Sequence, residues 1–301
     1  MPFVAMHPKI PLLRSRIKSA WETLQKCQIC PRHCGVNRIH HEIGYCGEGL
    51  MPSIASDNLH YGEEPPISGL QGSGTIFFTG CTMRCVYCQN YPISHLGNGT
   101  PVSIPELAEK MLKLQKRGAH NINLVTPTHF IPQILIALFI AYKNGLTVPI
   151  VYNTGGYESI NALKLLDGIV DIYLPDMKYA HEKVARAYSD VSNYPGINQN
   201  AILEMFRQVG HLTVNKSGTA TRGLIIRHLI LPKWASGTKY VLNWIAENLG
   251  RNTYISLMSQ YFPVHKATQI PDLNEKIDEN MTKIAKKYMT QLGLKNGWTQ
   301  D

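Results

Sequence analysis

Seven cysteines fall into two tight groups, and none follows Cys88. Cys81, Cys85 and Cys88 lie in Gly80-Cys-Thr-Met-Arg-Cys-Val-Tyr-Cys-Gln-Asn90, a C-x3-C-x2-C run. Cys27, Cys30 and Cys34 form a C-x2-C-x3-C run, and Cys46 follows after eleven intervening residues. Thiols used only as small core residues would be scattered; thiols at short spacing are placed to hold something. Soft thiolates select iron–sulfur clusters, zinc or copper(I). Full cysteine ligation of a cubane cluster takes four thiolates, so three leave one iron open. An open coordination position marks chemistry rather than scaffolding. A disulfide framework fits poorly, because three is odd and nothing points to an oxidising compartment. A structural zinc completed by a distant His is the bland alternative.

The stretch from Gly80 to Asn90 resembles the signature of the radical S-adenosylmethionine (radical SAM) superfamily. Within it, the run is most similar to the activating enzymes of glycyl-radical proteins such as pyruvate formate-lyase. The resemblance implies a [4Fe–4S] cluster on Cys81, Cys85 and Cys88, with S-adenosylmethionine bound through its amino and carboxylate groups to the open iron. Reduction then yields a 5′-deoxyadenosyl radical. It also implies an electron donor such as a flavodoxin or ferredoxin, and a glycyl-radical protein as substrate. Tyr87 occupies the aromatic position that lies near the adenine in the family. Gly72-Ser-Gly-Thr-Ile-Phe-Phe-Thr-Gly80, His120-Asn-Ile-Asn-Leu-Val-Thr-Pro-Thr-His129 and Asp171-Ile-Tyr-Leu-Pro-Asp-Met-Lys-Tyr179 resemble a branch labelled pyruvate formate-lyase-activating-like. This likeness runs from about residue 27 to residue 263.

Cys27, Cys30, Cys34 and Cys46 supply enough thiolates for one closed site. A four-thiolate zinc and a four-thiolate [4Fe–4S] cluster both fit, the first structural, the second structural or electron-transferring. His33, His40 and His41 lie close by, but four thiolates already suffice. Residues 27–74 read as largely loop, rich in Gly and Pro, which a metal would organise.

The elements that must position these groups follow from periodicity. Six β-branched or aromatic runs, 75–79, 121–125, 148–152, 169–174, 224–231 and 253–258, read as strands. Helical patterns alternate with them: 103–117, opened by the capping box Ser103-x-x-Glu106, then 132–144, 159–166, 182–188, 199–209 and 239–247, with 272–291 closing the chain. Strand–helix alternation implies parallel βα units with right-handed crossovers. The expected fold is α/β, a partial (β/α)6 TIM-like barrel over residues 75–301 with a C-terminal helix. Residues 1–74 form a cysteine-rich metal-binding extension.

Parallel α/β folds work at the carboxyl ends of their strands. The second strand ends in Thr126-Pro-Thr-His129, where activating enzymes carry Gly-Gly-Glu against the cofactor's amino group; Thr126, Thr128 and His129 stand in that place. The third ends in Tyr152-Asn-Thr-Gly-Gly156, which resembles the activases' Thr-Asn-Gly and makes Asn153 and Thr154 candidates. The fourth ends in Leu174-Pro-Asp-Met-Lys178, which resembles the family's Asp-x-Lys. Asp176 and Lys178, two apart, face the same way while the chain stays extended; Pro175 suggests that the strand has already ended. Arg227 on the fifth strand resembles the activase Arg that clamps the cofactor carboxylate, and an Arg there needs an anion. Glu63 and Glu64, directly before Pro65 and Pro66, are open to two readings, a cap or a lining of the approach to the cluster.

Composition narrows the class. Hydrophobic residues make up 44% and charged residues 17%, as in a globular protein. No apolar stretch reaches the roughly 20 residues a bilayer requires, and the start lacks a secretory pattern, so a cytoplasmic location is expected. The formal charge of +9 omits thiolates, and its basic residues come in small groups without interleaved aromatics, which argues against a nucleic-acid partner. Two further readings stay open: a radical SAM enzyme acting on a small molecule, peptide or RNA, and a non-catalytic iron–sulfur or zinc protein.

Overall fold

A computed structural model describes residues 7–299. Residues 1–6 of the start read as lacking a secretory pattern, and the last two residues, lie outside that range. In chain order the elements are α1 (Lys9–Glu22), β1 (Ser53–His60), α2 (Pro65–Ser68), β2 (Ser73–Phe78), α3 (Tyr91–Ser94), β3 (Thr100–Pro101), α4 (Ile104–Lys116), β4 (Ile122–Val125), α5 (Ile131–Lys143), β5 (Ile150–Thr154), α6 (Ile160–Leu166), β6 (Ile172–Pro175), α7 (Glu182–Ser189), α8 (Tyr194–Val209), β7 (Thr213–Val214), β8 (Ala220–Leu229), α9 (Thr238–Asn248), β9 (Tyr254–Met258), α10 (Glu279–Gln291) and β10 (Gly297–Thr299).

The six expected strands are β2, β4, β5, β6, β8 and β9, paired parallel in that order. β10 adds a parallel strand outside β9, while β1 and then β3 continue the other edge antiparallel. With different strands at its two ends, the sheet is an open, partial barrel. Period-two alternation gives it two apolar faces. Ile76, Leu124, Tyr152, Ile226 and Ile255 pack outward with Met111, Leu135, Met205 and Leu242 of the surrounding helices. Val151, Ile172, Leu174 and Ile225 point the other way and close around Ile67 of α2. The short helix α2 thus plugs the inner face.

Local signals account for the helix boundaries. The Ser103 hydroxyl accepts from Glu106 N–H at 3.3 Å and the Glu106 carboxylate accepts from Ser103 N–H at 2.6 Å, the reciprocal cap that opens α4. Residues 272–278 are not helical, so α10 is shorter than its sequence pattern; Asp272 pairs with Lys233 instead, and Asp278 caps the helix. β6 runs through Pro175, which pairs with Thr154 as its last residue. The stretch 27–74 is not all loop. β1 hydrogen-bonds along β2, with Asp57 opposite Ile76, although Ile54 is its lone β-branched residue. The exposed edge of β2 recruits this partner whatever its propensity. No helix of the described residues is long and apolar enough to cross a membrane.

Candidate active site at the carboxyl ends of the strands

Directly after β2, Gly80 takes φ +71°, and a side chain there would collide with Glu48 and the Cys46 carbonyl. Only glycine makes that turn, which delivers Cys81, Cys85 and Cys88 to the rim. Each sulfur has a polar neighbour: Met83 N–H donates to Cys81 Sγ (3.4 Å), the Ser189 hydroxyl donates to Cys85 Sγ (2.9 Å), and Ser94 Oγ stands 3.1 Å from Cys88 Sγ. Ser189 is itself held by a buried hydroxyl chain, Tyr179 OH at 2.6 Å and then Tyr87 OH at 2.6 Å. Burial pushes the Cys81 thiol up to about 12 and raises Cys85 as well; the Lys178 ammonium opposes burial at both. Tyr87 therefore stands beside the cysteine loop, with its hydroxyl spent on Tyr179 and its ring against Tyr261.

The ends of β5, β6 and β8 bring four candidates together. Lys178 Nζ donates to Asp176 Oδ2 at 2.5 Å, Arg227 Nε to Asp176 Oδ1 at 2.8 Å, and Arg227 Nη2 to Asn153 Oδ1 at 2.7 Å. Burial alone would raise Asp176, but the two cations outweigh it and hold its carboxyl below the ordinary range. Lys178, likewise, is raised by Asp176 against the pull of burial. The anion that Arg227 requires is thus supplied within the chain.

Thr128 and Thr154 go elsewhere. Both hydroxyls donate to Glu158 Oε1, from Thr128 at 2.6 Å, and Tyr152 OH donates to Oε2 at 3.1 Å. Those protons face the buried Glu158 carboxyl. Thr126 has φ +57°, a left-handed conformation uncommon for a β-branched residue, and its N–H donates to the Asn153 carbonyl. His129 is buried, its Nε2 2.7 Å from the Thr79 carbonyl, and burial pushes it down to about 3, so the ring is neutral and part of the packing. Burial lifts Glu158 from 4.5 to about 7 against its three hydroxyl donors. A carboxyl raised on folding stabilises fully below its unfolded value and loses that contribution as pH rises through the folded one. The wild-type protein should lose about 2–3 kcal/mol from this group between about pH 5 and pH 8. Glu158→Gln should flatten that dependence in urea unfolding; equal slopes in both proteins would refute the assignment.

These observations meet in the comparison with known proteins. Residues 75–228 match the model of the Radical SAM superfamily, covering β2 through Arg227 and His228. The chain belongs to the radical SAM superfamily.

Two relatives from Methanocaldococcus jannaschii, named Uncharacterized protein MJ0674 and Uncharacterized protein MJ0808, share 32% and 24% identity with this radical SAM chain. The first alignment covers 93% of this chain and 80% of the relative, the second 82% and 73%. Two solved structures share the fold. They are the FeFe-hydrogenase maturase HydG from Carboxydothermus hydrogenoformans (TM-score 0.51, 12% identity, 73% of this chain) and a radical SAM methyltransferase from Sphaerobacter thermophilus (TM-score 0.51, 12% identity, 76%). This chain spans 50% of the first and 66% of the second.

Membership implies a [4Fe–4S] cluster and S-adenosylmethionine, and the donor set fits the cluster. Three soft sulfurs share one loop, with a polar neighbour for each and a buried ammonium to offset thiolate charge. Among the described residues no three His, Cys, Asp or Glu converge as closely as a single metal ion demands. A cubane asks for a wider set, because each thiolate binds a separate iron.

The second cysteine group packs against the first. Cys81 N–H donates to the Cys46 carbonyl (3.3 Å), Arg84 to the Tyr45 carbonyl (2.7 Å) and Arg32 to the Thr82 carbonyl (2.9 Å). Cys27, Cys30 and Cys46 are buried and Cys34 is exposed. Burial raises Cys27, with Cys34 adding to the rise, and pushes Cys30 up to about 12, with Cys27 and Cys46 adding to it. Beside them lies Arg38, 0% exposed, bonded to the Gly49 and His129 carbonyls and in no ion pair among the described residues. Its charge pulls Cys27 and Cys46 back down. A buried guanidinium beside clustered thiols is the electrostatic complement of bound thiolates.

Sequence reasoning missed Ser189, Ser94, Glu158 and Arg38. The first two have no local signature, because they meet the cysteines only across the fold. Glu158, two residues beyond Gly155-Gly156 at a strand end, had a signal that could have been used. No cysteine lines the surface cavity of about 710 Å³ beside Gln260 and Lys283 or that of about 660 Å³ between His120 and Trp298.

Proposed function

We propose that this protein is an activating-enzyme-like radical SAM oxidoreductase. The bound cluster and S-adenosylmethionine supply a 5′-deoxyadenosyl radical that abstracts hydrogen from the substrate. The observation that carries the reading is the three-thiol loop after β2, with Cys85 buried, each sulfur with its own polar neighbour and Lys178 within electrostatic reach. Cys81, Cys85 and Cys88 hold the cluster, and Ser189 steadies Cys85. Asn153, Asp176, Lys178 and Arg227 form the polar wall against which the cofactor's charged groups bind, with Thr126 at its edge and the Tyr87 ring on the adenine side. The likeness of Gly80–Asn90 to activases points to a glycyl-radical protein as partner and to a flavodoxin or ferredoxin as electron donor. A second reading, a small polar substrate, is favoured by the unpartnered polar atoms on the inner face of the sheet. Anaerobically reconstituted protein with dithionite should release 5′-deoxyadenosine from S-adenosylmethionine; none above the cluster-free control would defeat the proposal.

Cys27, Cys30, Cys34 and Cys46 bind a second centre in this reading, an iron–sulfur cluster balanced by Arg38, because among the described residues no three of these ligands converge on a single ion. A variant with Cys81, Cys85 and Cys88 all changed to Ala should still purify with iron. A folded, metal-free variant would contradict this.

A further inference from the structure

The inner face of the sheet is short of one cation. Asp176 is matched twice, by Lys178 at 2.5 Å and Arg227 at 2.8 Å. Glu63 and Glu64, on the turn that leads into α2, add two more carboxyls within electrostatic reach of Arg227. Burial raises Glu63 to about 7, and both cations are bonded to Asp176, which leaves Glu64 as the carboxyl with no cation of its own. Glu64 is 4% exposed, forms no ion pair, and its Oε2 has no hydrogen-bond partner. Ser256 Oγ and Asn123 Oδ1 are also buried without a partner, while the Asn123 amide N–H lies toward the Glu63 carboxyl. Alternation puts these groups on the same face. Ile122 and Leu124 pack outward, so Asn123 points in; Ile255 and Leu257 pack outward, so Ser256 points in. Buried polar atoms left unmatched are costly and rare, and several on one face mark a place for a polar ligand, an ion or ordered water.

We propose that this face holds a subsite for the ammonium group of a small-molecule substrate, with Glu64 as counter-ion and Asn123 Oδ1 and Ser256 Oγ as acceptors. An ammonium offers three divergent N–H donors, whereas a guanidinium presents a planar fork. The three acceptors come from three separate elements, the turn before α2, β4 and β9, and so suit divergent donors. The cofactor does not fill this demand. In the functional reading its own amino group binds the open iron, and Asn123 lies deeper on β4 than the rim residue Thr126. The inference rests on that reading for the place of the cofactor.

Titration calorimetry on the reconstituted full chain with S-adenosylmethionine bound would test it, using propylammonium against propionate and 1-propanol. Propylammonium should bind about tenfold or more tighter than either, and Glu64→Gln should erase that preference while cofactor affinity stays within about twofold. Ser256→Ala, which removes one acceptor and no charge, should show a smaller loss and covers the case in which Glu64→Gln fails to fold. No binding of propylammonium, equal binding of all three probes, or a preference that survives Glu64→Gln would overturn the subsite. Displacement of propylammonium by potassium at matched concentration would overturn it in favour of an inorganic cation, and joint loss of cofactor affinity would assign Glu64 to the cofactor. Deoxyadenosine release is followed separately: a protein that selects the ammonium probe yet releases none keeps the subsite and loses the functional reading.

Discussion

Cys85→Ala is expected to abolish 5′-deoxyadenosine formation and to bleach the cluster's visible absorption. Cys85 is buried, and its sulfur takes the shortest hydrogen bond of the three, 2.9 Å from the Ser189 hydroxyl. No fourth thiol of its loop can replace it, since the nearest other cysteines belong to the second group. Ser189→Ala separates ligation from support. It leaves all three thiolates, so a cluster should still assemble, but with one donor fewer its reduction potential should fall. Turnover by Cys85→Ala at the wild-type rate would remove Cys85 from the ligand set. An unchanged potential in Ser189→Ala would reduce that serine to packing.

Asp176→Asn is expected to be the most damaging single change to stability outside the metal sites. Asp176 neutralises Lys178 and Arg227 together, and all three side chains are less than a fifth exposed, at 11%, 19% and 18%. Removing the shared carboxylate takes the direct ion-pair partner from both cations in a largely buried site, where Glu63 and Glu64 act on Arg227 without an ion pair, and costs about 3 kcal/mol. Arg227→Ala should be milder, because Asp176 keeps Lys178. Its main effect should be on the cofactor, a loss of about ten- to a hundredfold in S-adenosylmethionine affinity with the cluster's absorption intact. Arg227→Lys should restore it only in part, since an ammonium cannot donate to Asp176 and Asn153 in one plane. Denaturant midpoints and equilibrium binding separate the two effects. A shift below about 1 kcal/mol for Asp176→Asn would mean that water already screens the cluster of charges.

The parallel strands and the cysteine loop were legible because their causes are local. Chemistry at C-x3-C-x2-C spacing needs only a turn, Gly80 provides it, and the turn follows a β-branched run that forms β2. The period of each strand and the cap at Ser103 are likewise written within a few residues. β1 was not legible, since Asp57, Asn58 and His60 have little strand propensity and pair only because β2 presents an open edge.

The partners of the site residues were decided by the tertiary structure. Thr128 and Thr154 stand where cofactor contacts were expected, yet their protons go to Glu158, a residue brought between them by the turn after β5. Arg227 was expected to need an anion; that the anion is Asp176, 51 positions earlier, depends on β6 and β8 lying side by side. Arg38, 91 positions from the His129 carbonyl it binds, joins the second cysteine group to the rim. Sequence by itself determined which groups could do chemistry and the order of strands that carries them, because spacing and periodicity are properties of short segments. Charge balance, the donors to each sulfur and the unmatched carboxyl of Glu64 are sums over groups far apart in the chain, and only the packed barrel places them near enough to interact.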